Sequence, residues 1–265
     1  MTAFVVVIPA RHGASRLPGK PLRPLAGRPL IAHVCERALA SGAAQVLVAT
    51  DDERIAACAR AAGAEAVMTS PAHRSGTERI AEVAERLGWD EGRIVVNLQG
   101  DEPLVPPQLA AEAAALLARS GAAVATLAAP LETPAALFDP NVVKVVCDAA
   151  GRALYFSRAP VPWAREAFAG GAPPALPPAG AWLRHIGIYA YRAGFLRRYA
   201  GLPPSPLEAV EALEQLRVLW HGEAIAVGIT AHRPGPGIDT EADLAAAEAM
   251  LREGGRRGAN GGDSG

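Results

Sequence analysis

The chain has 265 residues, 26 basic and 27 acidic, for a formal net charge of −1, with half of its residues apolar and 5% aromatic. That length buries one large core or two fused ones, and the balanced charge argues against a nucleic-acid partner. No apolar run approaches the roughly 18 residues of a membrane span, Phe4–Ile8 follows Met1 without the basic lead of a signal peptide, and three scattered cysteines (Cys35, Cys58, Cys147) fit a reduced cytoplasmic protein better than disulfides or zinc.

Strand and helix signals alternate through the first half. A β-rich run at Phe4–Ile8 is followed by a long loop and a helix opened by Pro29, with Leu30, Ile31, Val34 and Leu39 on its apolar positions. A strand at Gln45–Ala49 leads to Thr50-Asp51-Asp52-Glu53, whose spacing is that of a capping box. Ser75-Gly76-Thr77-Glu78 repeats that spacing ahead of Ile80, Val83, Ala84 and Leu87, an amphipathic helix. A buried-type strand at Ile94–Leu98 ends in Gln99-Gly100-Asp101-Glu102-Pro103, and a helix over 107–119 and a strand over 123–128 follow. Strands alternating with helices imply an α/β fold, a mostly parallel twisted sheet with helices on both faces.

The second half is less regular. Strands are predicted at Val142–Cys147, Ala153–Phe156 and His185–Tyr191, around an Ala/Gly/Pro-rich insertion over 166–180 expected to be mobile. A helix over Leu207–Trp220, a strand over Ala224–Ile229 and a closing helix over Glu241–Arg252 complete the pattern. Residues from 254 onward lack apolar content and are expected to be a disordered tail. With no internal repeat or long linker, residues 1–253 read as one domain, with an embellishment at about 130–200.

Function concentrates in the loop after the first strand, because open α/β sheets bind ligands beyond the carboxyl ends of their strands. That loop, Pro9 to Leu22, contains no G-x-G-x-x-G, and its Gly13…Gly19-Lys20 spacing with Pro21 following excludes a Walker A loop. It carries Arg11, Arg16 and Lys20 on a proline-stiffened frame. The first acidic residue of the chain is Glu36, and Arg11, Arg16, Lys20, Arg23 and Arg28 precede it, so the N-terminal segment makes a local positive field suited to an anionic ligand. Two arginine forks can grip separate phosphates and a lysine can place one charge at a reacting oxygen, the demands of a nucleoside triphosphate. All but two of the basic residues are arginine, the exceptions being Lys20 and Lys144, so each lysine either marks a place where a point charge is needed instead of a planar fork or survives by chance in an Arg- and Ala-rich composition. A solvated basic loop is the plainer reading of the same residues.

The stretch IPARHGASRLPGKPL, with Gly27-Arg28-Pro29-Leu30 after it, resembles the opening of the 3-deoxy-manno-octulosonate cytidylyltransferase family, which makes CMP-Kdo. VATDDERI, SGTERIAEV, VNLQGDEP, NVVKVV, ALYFSRAPVPW, LRHIGIYAYR, SPLEAVEALEQLRVLWHGE and PGPGIDTEADL match the same family in order, over about residues 4–250. The insertion near 167–180 and the Gly-rich tail depart from it and carry no motif. The resemblance implies a fold of the nucleotide-diphospho-sugar transferase type with a smaller dimerisation subdomain, CTP and the sugar acid Kdo as substrates, a magnesium cofactor, a homodimer and a role in lipopolysaccharide biosynthesis.

The resemblance also implies roles for residues. Nucleotide contacts fall to Ala10, Arg11, Arg16, Lys20, Ser75 and Gly76, with Arg11, Lys20 and Asp101 catalytic. Asp101 lies just past a strand end and Asp239 precedes the last helix; the two are favoured as magnesium ligands, although Glu102 could replace Asp101 and Asp239 could instead be a helix cap. Thr240 and Asp243 have the N-cap and N3 spacing that would relieve Asp239 of capping. Acceptor contacts are expected from Gln99, Arg158, His185, Tyr189, Glu214 and Gln215. Each has a bland alternative: Glu214 and Arg217 could be a helix ion pair, and Tyr189 could simply pack in the sheet. Lys144 could point into the crevice, and Trp163 and Trp182 could pin the insertion or form a dimer surface. Other readings are a synthetase for an 8-amino Kdo analogue or a sialic acid, a non-catalytic nucleotide-binding module, and a glycosyltransferase, whose usual D-x-D pair is missing at Asp101-Glu102-Pro103.

Overall fold

The structure, a computed structural model, describes residues 2–13, 17–177 and 182–259. The first half forms β1 (Val5–Ala10), β2 (Pro24–Leu25), β3 (Arg28–Pro29), α1 (Leu30–Leu39), β4 (Gln45–Thr50), α2 (Glu53–Ala61), β5 (Glu65–Met68), α3 (Gly76–Arg86), β6 (Ile94–Asn97) and α4 (Gln108–Ser120). There follow β7 (Val124–Pro130), α5 (Pro134–Phe138), β8 (Lys144–Cys147), β9 (Ala153–Ser157), β10 (Leu183–Arg192) and α6 (Ala193–Ala200). The chain continues through α7 (Pro206–Glu211), α8 (Gln215–Trp220), β11 (Ile225–Ile229) and α9 (Glu241–Ala259). Predicted and observed strand ends differ by a residue or two. The short β5, α5 and α6 had no distinct sequence signal.

The central sheet runs β11-β7-β10-β6-β1-β4-β5, with β8 attached to β10 and β9 to β8. β1 pairs in parallel with β4 and β6, β4 with β5, and β7 with β11. β10 is inserted antiparallel between β6 and β7. Such a sheet is buried on both faces, which explains the uninterrupted apolar run at Val5–Ile8, none of it solvent-exposed. Val6, Ile8 and Val96 pack on one face against Leu30 and Val34 of α1, Ile55 of α2 and Leu109 of α4. Val5, Val7 and Val95 pack on the other against Ile80 and Val83 of α3, Phe195 of α6 and Leu216 of α8. Strand order reverses at β1, which has β4 on one side and β6 on the other, so a crevice opens beyond the carboxyl ends of β1 and β6.

Several local expectations change. Thr50 does not cap α2; Asp52 does, accepting from the Arg54 amide at 2.9 Å, while the Thr50 hydroxyl accepts from the Asp52 amide. Ser75 caps α3, but Glu78 completes the turn on the Arg74 amide. The helix predicted over Leu207–Trp220 is two helices broken at Ala212, whose φ is 51°. A continuous helix would align Glu214 with Val210, which is 86% exposed; the break instead lets Leu213 and Leu216 enter the core. The closing helix continues past 254 to Ala259, since extending a helix costs far less than nucleating one. Residues 260–265 lie outside the described set.

The insertion is pinned at its start. Phe168 is fully buried with Leu137 and Trp182, and the Trp182 indole donates to the Pro162 carbonyl at 2.7 Å. Trp163 packs edge-on against Phe168 and Phe138 but stays half exposed. Lys144 does not enter the crevice. It is wholly buried, and its ammonium donates to the carbonyls of Asp139, Val142 and Arg158 at 3.0, 2.6 and 2.6 Å.

Gly100 joins the two loops that border the crevice. A Cβ there would lie 2.9 Å from the Pro9 carbonyl oxygen, a rigid backbone atom. Gly100→Ala is therefore expected to lower the unfolding free energy by about 1–3 kcal/mol, as read by urea denaturation.

Candidate active site

The loop after β1 is tied across its own base. The Gly19 amide donates to the His12 carbonyl, and Gly19, at φ 66°, turns the chain into a short 3₁₀ turn over Lys20–Leu22. Lys20 is thereby aimed across the crevice. Its ammonium donates to Asp101 Oδ2, Asp239 Oδ1 and the Ile238 carbonyl, each at 2.8 Å, which uses all three of its N–H groups. Burial opposes the charge on Lys20, but Asp101 and Asp239 outweigh it and hold the pKa above its ordinary value. The two aspartate loops are also joined directly, because the Ile238 amide donates to the Asp101 carbonyl at 2.9 Å. Capping of α9 falls to Thr240, whose hydroxyl accepts from the Asp243 amide while the Asp243 carboxylate accepts from the amides of Asp239 and Thr240. Glu102 does not join the pair. Its carboxyl is turned toward Gly187, and burial pushes its pKa up to about 7.

Lys20, Asp101 and Asp239 line a cavity of about 310 Å³ together with Ala10, Arg11, Ser75 and Gly76. Five of the six residues expected to hold the nucleotide thus share one space; Arg16 lies outside the described residues. The N-terminus of α3 faces this cavity close to β1, since a Cβ on Gly76 would sit 3.0 Å from the Pro9 ring. Unsatisfied amides there favour an anion. His73, Arg74 and Arg79 also line the cavity and were missed in the sequence. Arg79, 3% exposed, donates to Thr69 and to Asp51. Its signal was its place inside the SGTER segment.

A second cavity, of about 250 Å³, adjoins the first and shares Gly76, Gln99 and Glu214 with it. His185, Tyr189 and Gln215 also line it, so five of the six residues expected at the acceptor are brought together. Arg158 is not. Its guanidinium donates to the Glu211 and Pro140 carbonyls at 2.8 and 2.9 Å, which holds the β9 exit in place. Glu214 forms no helix pair with Arg217. Arg217 forks onto Glu208 at 2.5 and 2.7 Å, while Glu214 accepts from the Thr77 hydroxyl at 3.2 Å. Burial raises the pKa of Glu214.

His185 lies beside an irregularity in β10 between Ile186 and Tyr189, which leaves Gly187 against the cavity. The Thr126 hydroxyl donates to the Ile188 carbonyl at 2.7 Å, so its oxygen accepts from His185 Nε2–H at 2.9 Å. Burial, and then the Arg184 charge, bring the His185 pKa down to about 3. The neutral ring therefore keeps Nδ1 as an acceptor.

Comparison with known proteins follows the same lines. The family model for cytidylyltransferases matches residues 5–225. The chain is 59% identical over 251 residues to a 3-deoxy-manno-octulosonate cytidylyltransferase of Halorhodospira halophila, covering 94% of this chain and 97% of the relative. It is 53% identical over 249 residues to one of Yersinia enterocolitica, covering 94% and 98%. A solved structure of CMP:2-keto-3-deoxy-manno-octonic acid synthetase complexed with CTP superposes with a TM-score of 0.83 at 42% identity, over 95% of this chain and 99% of that one.

The burial of His185 predicts a pH dependence of stability. The unfolded imidazole takes a proton as pH falls through about 6.5, whereas the folded one resists until about 3. Its contribution is complete above pH 6.5 and is lost as pH falls between those values. His185→Asn is expected to flatten the fall in unfolding free energy between pH 6 and pH 4 by up to about 1.4 kcal/mol per pH unit, measured by denaturant titration at each pH.

Proposed function

Because the chain belongs to the cytidylyltransferase family, we propose that it couples CTP to the eight-carbon sugar acid Kdo, giving CMP-Kdo and pyrophosphate. The observation that carries this reading is the convergence of Lys20, Asp101 and Asp239 in a cavity also lined by Arg11, Arg74 and Arg79, which adjoins, through Gly76, Gln99 and Glu214, a second cavity lined by His185, Tyr189 and Gln215. In the reaction the anomeric oxygen of Kdo forms a bond to the α-phosphorus, the bond to the β-phosphate oxygen breaks, and the anomeric proton is released. Arg11 and Arg16 bind the triphosphate, Lys20 places its charge at the reacting phosphate, and Ser75 and Gly76 present the α3 N-terminus, with Ala10 beside the nucleoside. Gln99, His185, Tyr189, Glu214 and Gln215 bind and orient the acceptor.

The residues fit a magnesium ion. Asp101 and Asp239 offer carboxylate oxygens around one point, and both remain partly open, at 35% and 43% exposure. Magnesium typically takes one or two carboxylates and completes its shell with water and substrate phosphates. No cluster of three or more His, Cys, Asp or Glu side chains suited to a metal occurs among the described residues. When bound, the ion would neutralise phosphate charge and favour displacement of pyrophosphate.

The same reading includes a cytoplasmic homodimer that supplies lipopolysaccharide assembly. Exposed Leu154 and Trp163, on and just beyond β9, support a second copy docking on that embellishment. No helix among the described residues is long and apolar enough to cross a membrane.

Pyrophosphate release from each of the four nucleoside triphosphates, with Kdo, 8-amino Kdo or sialic acid as acceptor, tests the assignment. Release is expected with CTP and Kdo; none with CTP and any of the acids overturns it. Lys20→Met is expected to lower kcat by about 10²–10³-fold. Asp239→Asn should raise the magnesium concentration needed for half-maximal rate, and an unchanged rate and magnesium dependence would remove Asp239 from the site.

A further inference from the structure

The acceptor cavity extends deeper than the residues assigned to it. Asn97, Thr77, Tyr191 and Tyr199 line it as well. Asn97 opposes Tyr189 across the β6–β10 ladder, and Tyr191 lies two residues along the same face. Asn97 and Thr77 lie beside the Tyr191 hydroxyl. Three other polar atoms here are buried with no hydrogen-bond partner in the protein: Asn97 Oδ1, the Tyr189 hydroxyl and the Tyr199 hydroxyl. Buried polar groups rarely lack partners, and three around one cavity describe a surface made to meet a polar ligand.

The Tyr199 ring is held firmly. It is 1% exposed, packs on Phe195 with centroids 6.1 Å apart, and lies under the Arg217 guanidinium at 5.0 Å. Arg217 is itself fixed by its fork onto Glu208. Burial, and then Glu214, raise the tyrosine pKa, so the hydroxyl is neutral and can both donate and accept. Gln99 lines both cavities, whereas Asn97 lines only the second.

We infer that the Tyr199 hydroxyl and the Asn97 amide oxygen are specificity-determining groups that bind the hydroxylated tail of the acceptor, the end remote from the reacting carbon. This rests on the acceptor reading above. A tail hydroxyl can accept from the Tyr199 O–H and donate to Asn97 Oδ1, so an acceptor without that hydroxyl leaves buried groups unmatched.

Steady-state kinetics of the full-length protein with Kdo and with 8-deoxy-Kdo, a tail-deoxygenated acceptor, test the inference. For the wild type, loss of the tail hydroxyl is expected to raise the acceptor KM by about tenfold. Tyr199→Phe should raise the Kdo KM by a similar factor, with kcat and the CTP KM within about twofold of wild type. The same variant should show no further loss on 8-deoxy-Kdo. Asn97→Ser, a second variant, should show the same selective loss, and thermal melting reads any structural contribution separately. Equal losses on both acceptors, or a change confined to kcat or the CTP KM, would overturn the role of these residues while leaving the acceptor reading intact. Failure of the wild type to use Kdo with CTP would overturn that reading, and this inference with it.

Discussion

Two carboxylates brought to one point repel each other, and here the Lys20 ammonium stands between them, 2.8 Å from Asp101 and 2.8 Å from Asp239. Its third proton meets the Ile238 carbonyl, so one cation joins the β1 loop, the β6 loop and the entry to α9. Such a tripod suits an ammonium, whose three N–H groups radiate from a single atom; a planar guanidinium spreads its donors along a fork. Lys144 repeats the geometry inside the embellishment, with three backbone carbonyls as acceptors. In a chain whose other basic residues are all arginine, both lysines serve as point donors with three acceptors. At Lys20 two of the acceptors are partly exposed carboxylates; at Lys144 all three are backbone carbonyls of the frame.

The second cavity depends on one reversed strand. β10 runs antiparallel between β6 and β7, which sets Tyr189 opposite Asn97 and Thr126 and brings His185 onto the Thr126 hydroxyl. A parallel strand at this place would require a different crossover and would not return this row of side chains toward Gln99. The break between α7 and α8 complements it by turning Glu214 toward Thr77. The polar groups of the second cavity therefore come from four separate stretches of chain, held by apolar packing among Ile80, Phe195, Leu213 and Leu216.

Much of this was legible in the order of residues. The alternation of apolar runs and capping signals located the main strands and helices, because each depends on contacts within a few residues. The cationic loop without early acids pointed to an anionic ligand, and Ala10, Arg11, Lys20, Ser75 and Gly76 do share a cavity. Arg158, expected at the acceptor, is instead engaged by the Pro140 and Glu211 carbonyls outside the second cavity, contacts of which its motif carries no record. Glu214 and Arg217 had the spacing of a helix pair, yet Glu208 takes the guanidinium through an irregular turn. Tyr199 lies in α6, a short helix without a distinct sequence signal, so nothing local pointed to its place beside the second cavity.

What the sequence determined by itself was local: a near-neutral total charge hiding a cationic first 35 residues, buried strands, and two aspartates in loops rather than helices. Tertiary structure decided which distant groups meet. The Asp101–Lys20–Asp239 junction and the row of His185, Tyr189 and Asn97 depend on strand order and register, which are set by packing over the whole sheet. Charge counts sum over the chain without regard to position, whereas Coulomb and hydrogen-bond energies depend on separations of a few ångströms. Only the folded sheet sets those separations.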